Sequence, residues 1–300
     1  MKLGIKVGTK NDPYKDIDAT HPDFCEVWFH SGRIDEYHNL IKYIRRSGSE
    51  AGLHFWGRLS DGTLANLAYP DADVLKTSRE LVERTIDTAA KYKLWYVNIH
   101  PGGAKLVSVN SEINTWTPKT AAVAFTKSRQ ILHESLTHLA EYAKDRGIML
   151  FLESVPIRGF NTSDRSLTPL DLSELPLAYY DDFFTINNLY FTNDFGHTAA
   201  NIISSNRSSP LNYLNKISRR FLPQTKLLHI GFIIPPYNGT DYHGCLYYPQ
   251  VKTDAALPNE IEMKELLRLY KDRADVGALI EPEKDHPGNF AELKRLVNAL

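Results

Sequence analysis

Cysteine is scarce: two residues, Cys25 and Cys245, among 300. Two thiols cannot build the disulfide framework of a small secreted domain, and they point to a reducing, intracellular setting. Long apolar runs are missing as well. None approaches the ~20 residues that a membrane-spanning helix needs. The opening residues Met1-Lys2-Leu3-Gly4-Ile5-Lys6 read as a short strand, without the apolar stretch of a signal peptide. Neither sign of charge is in excess. The formal net charge of −1 excludes a globally basic nucleic-acid binder. It leaves room for a local positive site supplied by bound cations. No internal repeat, low-complexity tract or linker interrupts the chain. The expectation is a cytoplasmic protein with no membrane contact and no implied protein partner.

What is present is a globular composition, 42% hydrophobic and 24% charged. A chain of this length buries roughly 75% of its unfolded surface and has the usual size of an α/β barrel. Eight short apolar runs recur, at 3–8, 24–29, 51–56, 95–100, 148–153, 189–194, 226–231 and 277–282. Each is apolar on both faces, as in a parallel strand covered on both sides. Amphipathic stretches at 34–46, 74–92, 119–146, 177–188, 210–221, 260–271 and 289–300 read as helices between them. Gly147 follows the long central one and suits a left-handed C-cap. Strand and helix in alternation imply a parallel sheet. Eight such units favour one closed (β/α)8 TIM barrel over residues 1–300; an open doubly wound sheet is the alternative. Residues 157–177 and 232–259 read as long loops, which in compact domains often carry function.

In a (β/α)8 barrel the C-terminal strand ends converge on one face. The third run holds His54, the fourth ends in His100 and the fifth in Glu153. The sixth ends in Asp194, with His197 three residues on. The seventh holds His229, its following loop Asp241 and His243, and the eighth run Glu281. Imidazole nitrogen and carboxylate oxygen suit Zn²⁺, with Mn²⁺ or Fe²⁺ admissible. No cysteine takes part, so this is not a closed structural zinc site. The set exceeds what one tetrahedral ion needs and could hold about three ions with one carboxylate bridging. Clustered ions suit in-line displacement at phosphorus. Any one of these histidines, taken alone, more often packs or hydrogen-bonds than binds metal. Their joint position carries the reading: five of the eleven histidines fall at or just beyond strand ends. Of the rest, His133 and His138 read as helix-surface residues and His21, His38 and His286 as exposed ones. His30 and Arg33 follow the second strand at the rim, where they could contact substrate.

The pattern resembles endonuclease IV, the zinc-dependent apurinic/apyrimidinic endonucleases, within the larger group of xylose-isomerase-like barrels. The matching stretches are Leu53-His54-Phe55, Asn98-Ile99-His100-Pro101-Gly102, Leu152-Glu153-Ser154, Asn193-Asp194-Phe195-Gly196-His197, Leu228-His229-Ile230, Asp241-Tyr242-His243 and Ile280-Glu281-Pro282. They run from the third strand to the eighth, and the resemblance spans the chain. It implies a phosphodiesterase that cleaves DNA at abasic sites in base-excision repair. His54, His100 and Glu153 would hold one zinc, and Glu153, Asp194, His229 and Glu281 a second, with Glu153 bridging. His197, Asp241 and His243 would hold a third. Glu281 would orient or deprotonate the attacking water, and Arg33 loosely matches an arginine that enters the DNA. Phe55-Trp56-Gly57, Ser154, Gly231-Phe232 and Tyr242 stand where the family commonly has other residues. These departures touch the neighbours of the ligands and the DNA-facing loops.

Other readings stay open. A sugar (phosphate) isomerase or epimerase needs one divalent ion on Glu153, Asp194, His229 and Glu281, with the glutamates moving protons. That reading leaves His54, His100, His197, Asp241 and His243 without a task. The substrate could then be a sugar, or in the hydrolytic case a smaller phosphate ester. A metal-binding scaffold without activity is the third reading. Trp56, Tyr237, Tyr242, Tyr247 and Tyr248 could stack on a ligand or cover the rim. Arg58, Arg158, Arg165 and Arg207 could meet phosphates.

Overall fold

Alternation along the strands decides what this structure encloses. The computed structural model describes residues 1–8, 11–110, 115–160 and 169–300. Eight parallel strands form the barrel: β1 (Lys2–Val7), β2 (Phe24–His30), β3 (Glu50–Trp56), β4 (Tyr96–Ile99), β5 (Met149–Glu153), β6 (Leu189–Asp194), β7 (Thr225–His229) and β8 (Gly277–Leu279). They lie side by side in chain order, and β1 pairs with both β2 and β8, which closes the ring. The closed form, and not the open sheet, is observed. The helices are α1 (Pro13–Thr20), α2 (His38–Arg46), α3 (Ala72–Tyr92), α4 (Phe125–Lys144), α5 (Phe195–Ala199), α6 (Ser208–Arg220), α7 (Glu260–Arg268) and α8 (His286–Asn298). No helix among the described residues is long and apolar enough to cross a membrane.

Three local differences from the sequence expectation have physical reasons. Helix α1 was not expected. It is short, but Asp12 caps it by accepting from the Tyr14 and Lys15 amides, and Pro13 opens it. The expected helix over 177–188 is instead two 3₁₀ turns, Leu177–Tyr179 and Phe183–Thr185. Leu177, Tyr180 and Phe183 are all buried. Their spacing of three suits the tighter helix, in which every third side chain aligns. The long central helix begins only at Phe125, because the Lys119 and Val123 amides donate instead to the Leu106 and Ala104 carbonyls and hold the preceding stretch along that loop.

Outward-facing residues such as Ile5, Val27, Leu53, Val97, Leu150 and Leu152 pack on the helices. Inward-facing residues alternate with them. The barrel floor is apolar: Phe24, Tyr96, Phe151, Leu227 and Leu279 form a cluster of their own. The Tyr96 and Phe151 rings stack at 4.4 Å. Glycines make room for these rings, since a Cβ on Gly52 would stand 2.2 Å from Tyr96 and one on Gly4 2.5 Å from Phe24. Two residues further along each strand, the inward positions are Lys6, Glu26, His54, Asn98, Glu153, Thr192, His229 and Glu281. One step thus turns an apolar floor into a polar, charged shelf.

Candidate metal centre

Glu153, the last residue of β5, is fully buried at the middle of the shelf. Four groups of side chains bring one ligand-type atom each within 4.8 Å of one another. They are His54, His100 and Glu153; Glu153, Asp194 and His229; His197, Asp241 and His243; and Glu26, His54, His229 and Glu281. All nine residues singled out in the sequence therefore meet on one face of the barrel. Glu281 Oε1 also lies 3.4 Å from His229 Nδ1, beside the second group. The turn after β6 explains how His197 gets there. Asp194 is the N-cap of α5 and accepts the His197 amide at 2.8 Å, so one residue both starts the helix and joins the cluster.

The second nitrogen of each ring is where a metal-binding histidine is oriented. His197 Nδ1 lies 2.8 Å from the Ser154 carbonyl oxygen, and His243 Nδ1 3.0 Å from that of Glu281. Each ring then turns Nε2 toward Asp241 Oδ2, at 3.3 and 2.6 Å. His54 Nδ1 faces Glu26 Oε1 at 3.2 Å, and its Nε2 points at His100 Nε2, also at 3.2 Å. Among the described residues, Glu153 Oε1 and His229 Nδ1 are buried without a hydrogen-bond partner, while His229 Nε2 stands 3.0 Å from Glu26 Oε1 without being aligned for a hydrogen bond. Buried polar atoms are seldom left so. A cation between them would satisfy them, and this set of imidazoles and carboxylates fits a divalent ion of the zinc class.

The electrostatics agree with the geometry. Burial would push the Glu153 carboxyl up, yet His229, His54 and His100 hold it well below the usual carboxylate range. Burial would lower His229, yet Glu153, Glu26 and Glu281 hold it well above the usual imidazole value. Against burial, Asp241 lifts His243 to about 9. His100 runs the other way, lowered chiefly by burial. Carboxylates that draw protons onto these rings would also draw a divalent cation, and its uptake would displace those protons.

Two shelf residues escaped the sequence reading. Lys6 and Glu26 sit side by side in the register of β1 and β2, and both are buried. Lys6 Nζ is 2.6 Å from Glu26 Oε1 and also touches Glu281 Oε1 and His54 Nδ1. Burial would lower the lysine, but Glu26 and Glu281 keep its ammonium charged, above the ordinary value. The signal was available: opposite charges at facing, inward positions of adjacent apolar strands. Glu174 was also missed. Burial raises its carboxyl to about 7.

The rim residues fare unevenly. Trp56 stands 5.2 Å from Trp28, which stands 5.2 Å from the His54 ring, and Trp116 lies 6.1 Å beyond Trp56. These indoles form a stair leading away from the cluster. Tyr242 packs against Phe232 at 5.3 Å. Arg33 is at the surface, 2.6 Å from Glu36. Arg207 is not a ready phosphate contact: Glu262 takes it in a bidentate pair at 2.6 Å, and the Ala256 carbonyl accepts from it. Arg165 lies outside the described residues. Tyr237 is buried, so it is no stacking platform. His286, expected to be exposed, is buried at the start of α8, 3.8 Å from Asp16 of α1.

A family model described as the xylose isomerase-like TIM barrel matches residues 20–230. No curated protein matches the chain significantly. Among similar solved structures is a D-tagatose 3-epimerase-like protein, 17% identical over 100% of this chain and 98% of its own, with a TM-score of 0.64. An L-ribulose 3-epimerase is 14% identical over 99% and 95%, with a TM-score of 0.65. Endonuclease IV from Thermus thermophilus is 14% identical over 100% and 98%, with a TM-score of 0.59. At these identities the likeness is one of fold.

Proposed function

The chain belongs to the xylose isomerase-like TIM barrel family, and from that footing we propose that it is a divalent-metal-dependent hydrolase of phosphate esters, with abasic-site DNA as its first-choice substrate. The observation that carries this reading is the third cluster. His197, Asp241 and His243 are gathered beside a set that would already suffice for one ion. A single-ion isomerase has no use for them. His54, His100 and Glu153 would hold one ion; Glu153, Asp194, His229 and Glu281 a second; His197, Asp241 and His243 a third. Bound ions would supply Lewis acidity at the phosphoryl group and make hydroxide accessible near neutral pH.

The protein's own groups do the rest. Glu281 would accept a hydrogen bond from the attacking water and aim it. Burial would raise this carboxyl, but Lys6 and His229 keep it ionised at neutral pH. That makes it an orienting acceptor more than a strong base. Glu153 would tie the first two ions together. Trp28 and Trp56 offer flat, half-buried faces on which a sugar or base ring can stack.

One observation favours a second reading, a sugar isomerase or epimerase. The set Glu153, Asp194, His229 and Glu281 is complete in itself, and two of the similar structures are named as an epimerase or epimerase-like protein. Elemental analysis of metal-replete protein separates the two, together with cleavage of a duplex carrying one abasic-site analogue. About three ions per chain with strand cleavage supports the hydrolase. One ion, no cleavage, and interconversion of a ketose pair would move the assignment to the epimerase.

A further inference from the structure

We infer that the buried Lys6–Glu26 pair is a positioning device for the metal centre, with Glu26 setting the orientation of two histidines and Lys6 standing in as a fixed cation. The inference rests on the reading that His54 and His229 hold metal. Glu26 Oε1 lies 3.2 Å from His54 Nδ1 and 3.0 Å from His229 Nε2. Each ring then presents its other nitrogen to a cluster that shares Glu153. His54 Nε2 is 3.7 Å from Glu153 Oε2, and His229 Nδ1 is 3.3 Å from Glu153 Oε1 and 3.6 Å from Asp194 Oδ2. One carboxylate thus addresses a ring on either side of the bridging position. Its other oxygen is fixed by Tyr96 Oη at 3.0 Å and Asn98 Nδ2 at 3.4 Å. Asn98 Nδ2 reaches Glu153 Oε2 at 2.5 Å, so the same network also braces the bridging residue.

Lys6 explains why the fourth cluster differs from the other three. Its ammonium contacts Glu26, Glu281 and His54, three of that cluster's four members. It fills the position a metal ion would need. An ammonium and an imidazole N–H cannot point at each other. With metal on Nε2, His54 Nδ1 would carry its proton and give it to Glu26, and the Lys6 ammonium, which touches Nδ1 in this structure, would turn to Glu26 and Glu281 alone. The prediction is therefore specific: His54 as the Nδ1–H tautomer and His229 as the Nε2–H tautomer. Outer groups of this kind typically change metal affinity by about 10–100-fold.

The test needs no variant to begin with. Long-range ¹H–¹⁵N spectra of zinc-loaded wild-type protein read the two tautomers directly. The opposite tautomer on either ring overturns the inference. Chelator competition then gives zinc affinity for Glu26→Gln, and for Lys6→Met with Glu26→Gln, which removes both charges together and guards against a single variant that fails to fold. Both should bind zinc about 10–100-fold more weakly, with the same number of ions at saturation. Affinity within twofold of wild type in the folded double variant overturns the inference and leaves the metal centre intact. Wild-type protein that takes up no divalent ion would sink the metal centre itself, and this inference with it.

Discussion

The floor and the shelf of the barrel are separated by two residues on each strand, roughly 7 Å, and they are held together by opposite physics. On the floor, Phe24, Tyr96, Phe151, Leu227 and Leu279 exclude water, and glycines on β1 and β3 give the rings their space. Its stability comes from packing, where the loss of one ring leaves a cavity. On the shelf, Lys6, Glu26, His54, Asn98, Glu153 and His229 are equally buried, and none would be stable there alone. Their stability is collective, since each charge depends on its neighbours and on whatever cation the set can hold. The floor can lose a member and stay a floor. The shelf loses its purpose when one shared member goes.

The sharpest way to break the comparison is at Glu153. Glu153 belongs to two candidate ligand groups, so on the proposed reading its replacement with alanine would take a ligand from two ions at once. Turnover should fall at least about 10³-fold, and elemental analysis should show fewer ions per chain. Full metal content in folded Glu153→Ala protein would falsify the bridging role. The floor should answer differently. Phe151→Ala should destabilise the fold by about 3–5 kcal/mol in denaturant titrations, while the folded fraction still takes up its full complement of ions. If metal content falls in step with the cavity, floor and shelf are one unit and the distinction is wrong.

Acid sharpens the contrast further. The shelf would bind protons and metal at the same atoms, whereas the floor offers ligands for neither. His243 has its proton affinity raised to about 9, mainly by Asp241 acting against burial. Below that pH the ring carries a proton that an ion must displace. Against burial, Asp194 and Asp241 also hold His197 well above the ordinary imidazole value, so zinc affinity at the His197, Asp241 and His243 cluster should rise at least about tenfold per pH unit between roughly 7 and 9 and less steeply once His243 has lost its proton. The check is chelator competition across that range. A flat profile would mean that the ring binds metal without losing a proton, which its position against Asp241 does not allow.

The same contrast accounts for what could be read in the sequence. The floor and the outer faces of the strands together make short runs that are apolar on both faces, so all eight strands were legible within a few residues. The nine shelf and rim residues from His54 to Glu281 were legible because histidine and acid at strand ends are uncommon. Lys6 and Glu26 were not, because each looks alone like a single charge inside an apolar run. Only the pairing of β1 with β2 makes them neighbours. His286 misled in the other direction. A histidine beside an aspartate and a proline reads as a surface loop, but packing of α8 on α1 buries it. The two 3₁₀ turns over 177–185 escaped because a spacing of three is compatible with either helix until the hydrogen bonds are known. For Lys6, Glu26 and His286, what was missing was information carried by contact between distant segments.

The smallest expected effect lies at the edge of the shelf, where the apolar and polar regimes meet again. Trp56 is half-buried, 5.2 Å from Trp28 and two strand positions beyond His54. Its ring neighbours among the described residues are Trp28, His30 and Trp116, none of them a member of the cluster, so Trp56→Ala should leave metal content and kcat unchanged. A ring stacked on the indole would lose about 1–3 kcal/mol of binding. On abasic DNA, or on a smaller ester that carries the ring, KM should therefore rise by roughly five- to a hundredfold. A ring-free phosphodiester should show no change, because it has nothing to stack. If KM rises equally for both, Trp56 shapes the mouth of the site and does not read the substrate. If neither changes, the indole stair is rim packing, an upward continuation of the floor and no part of the site.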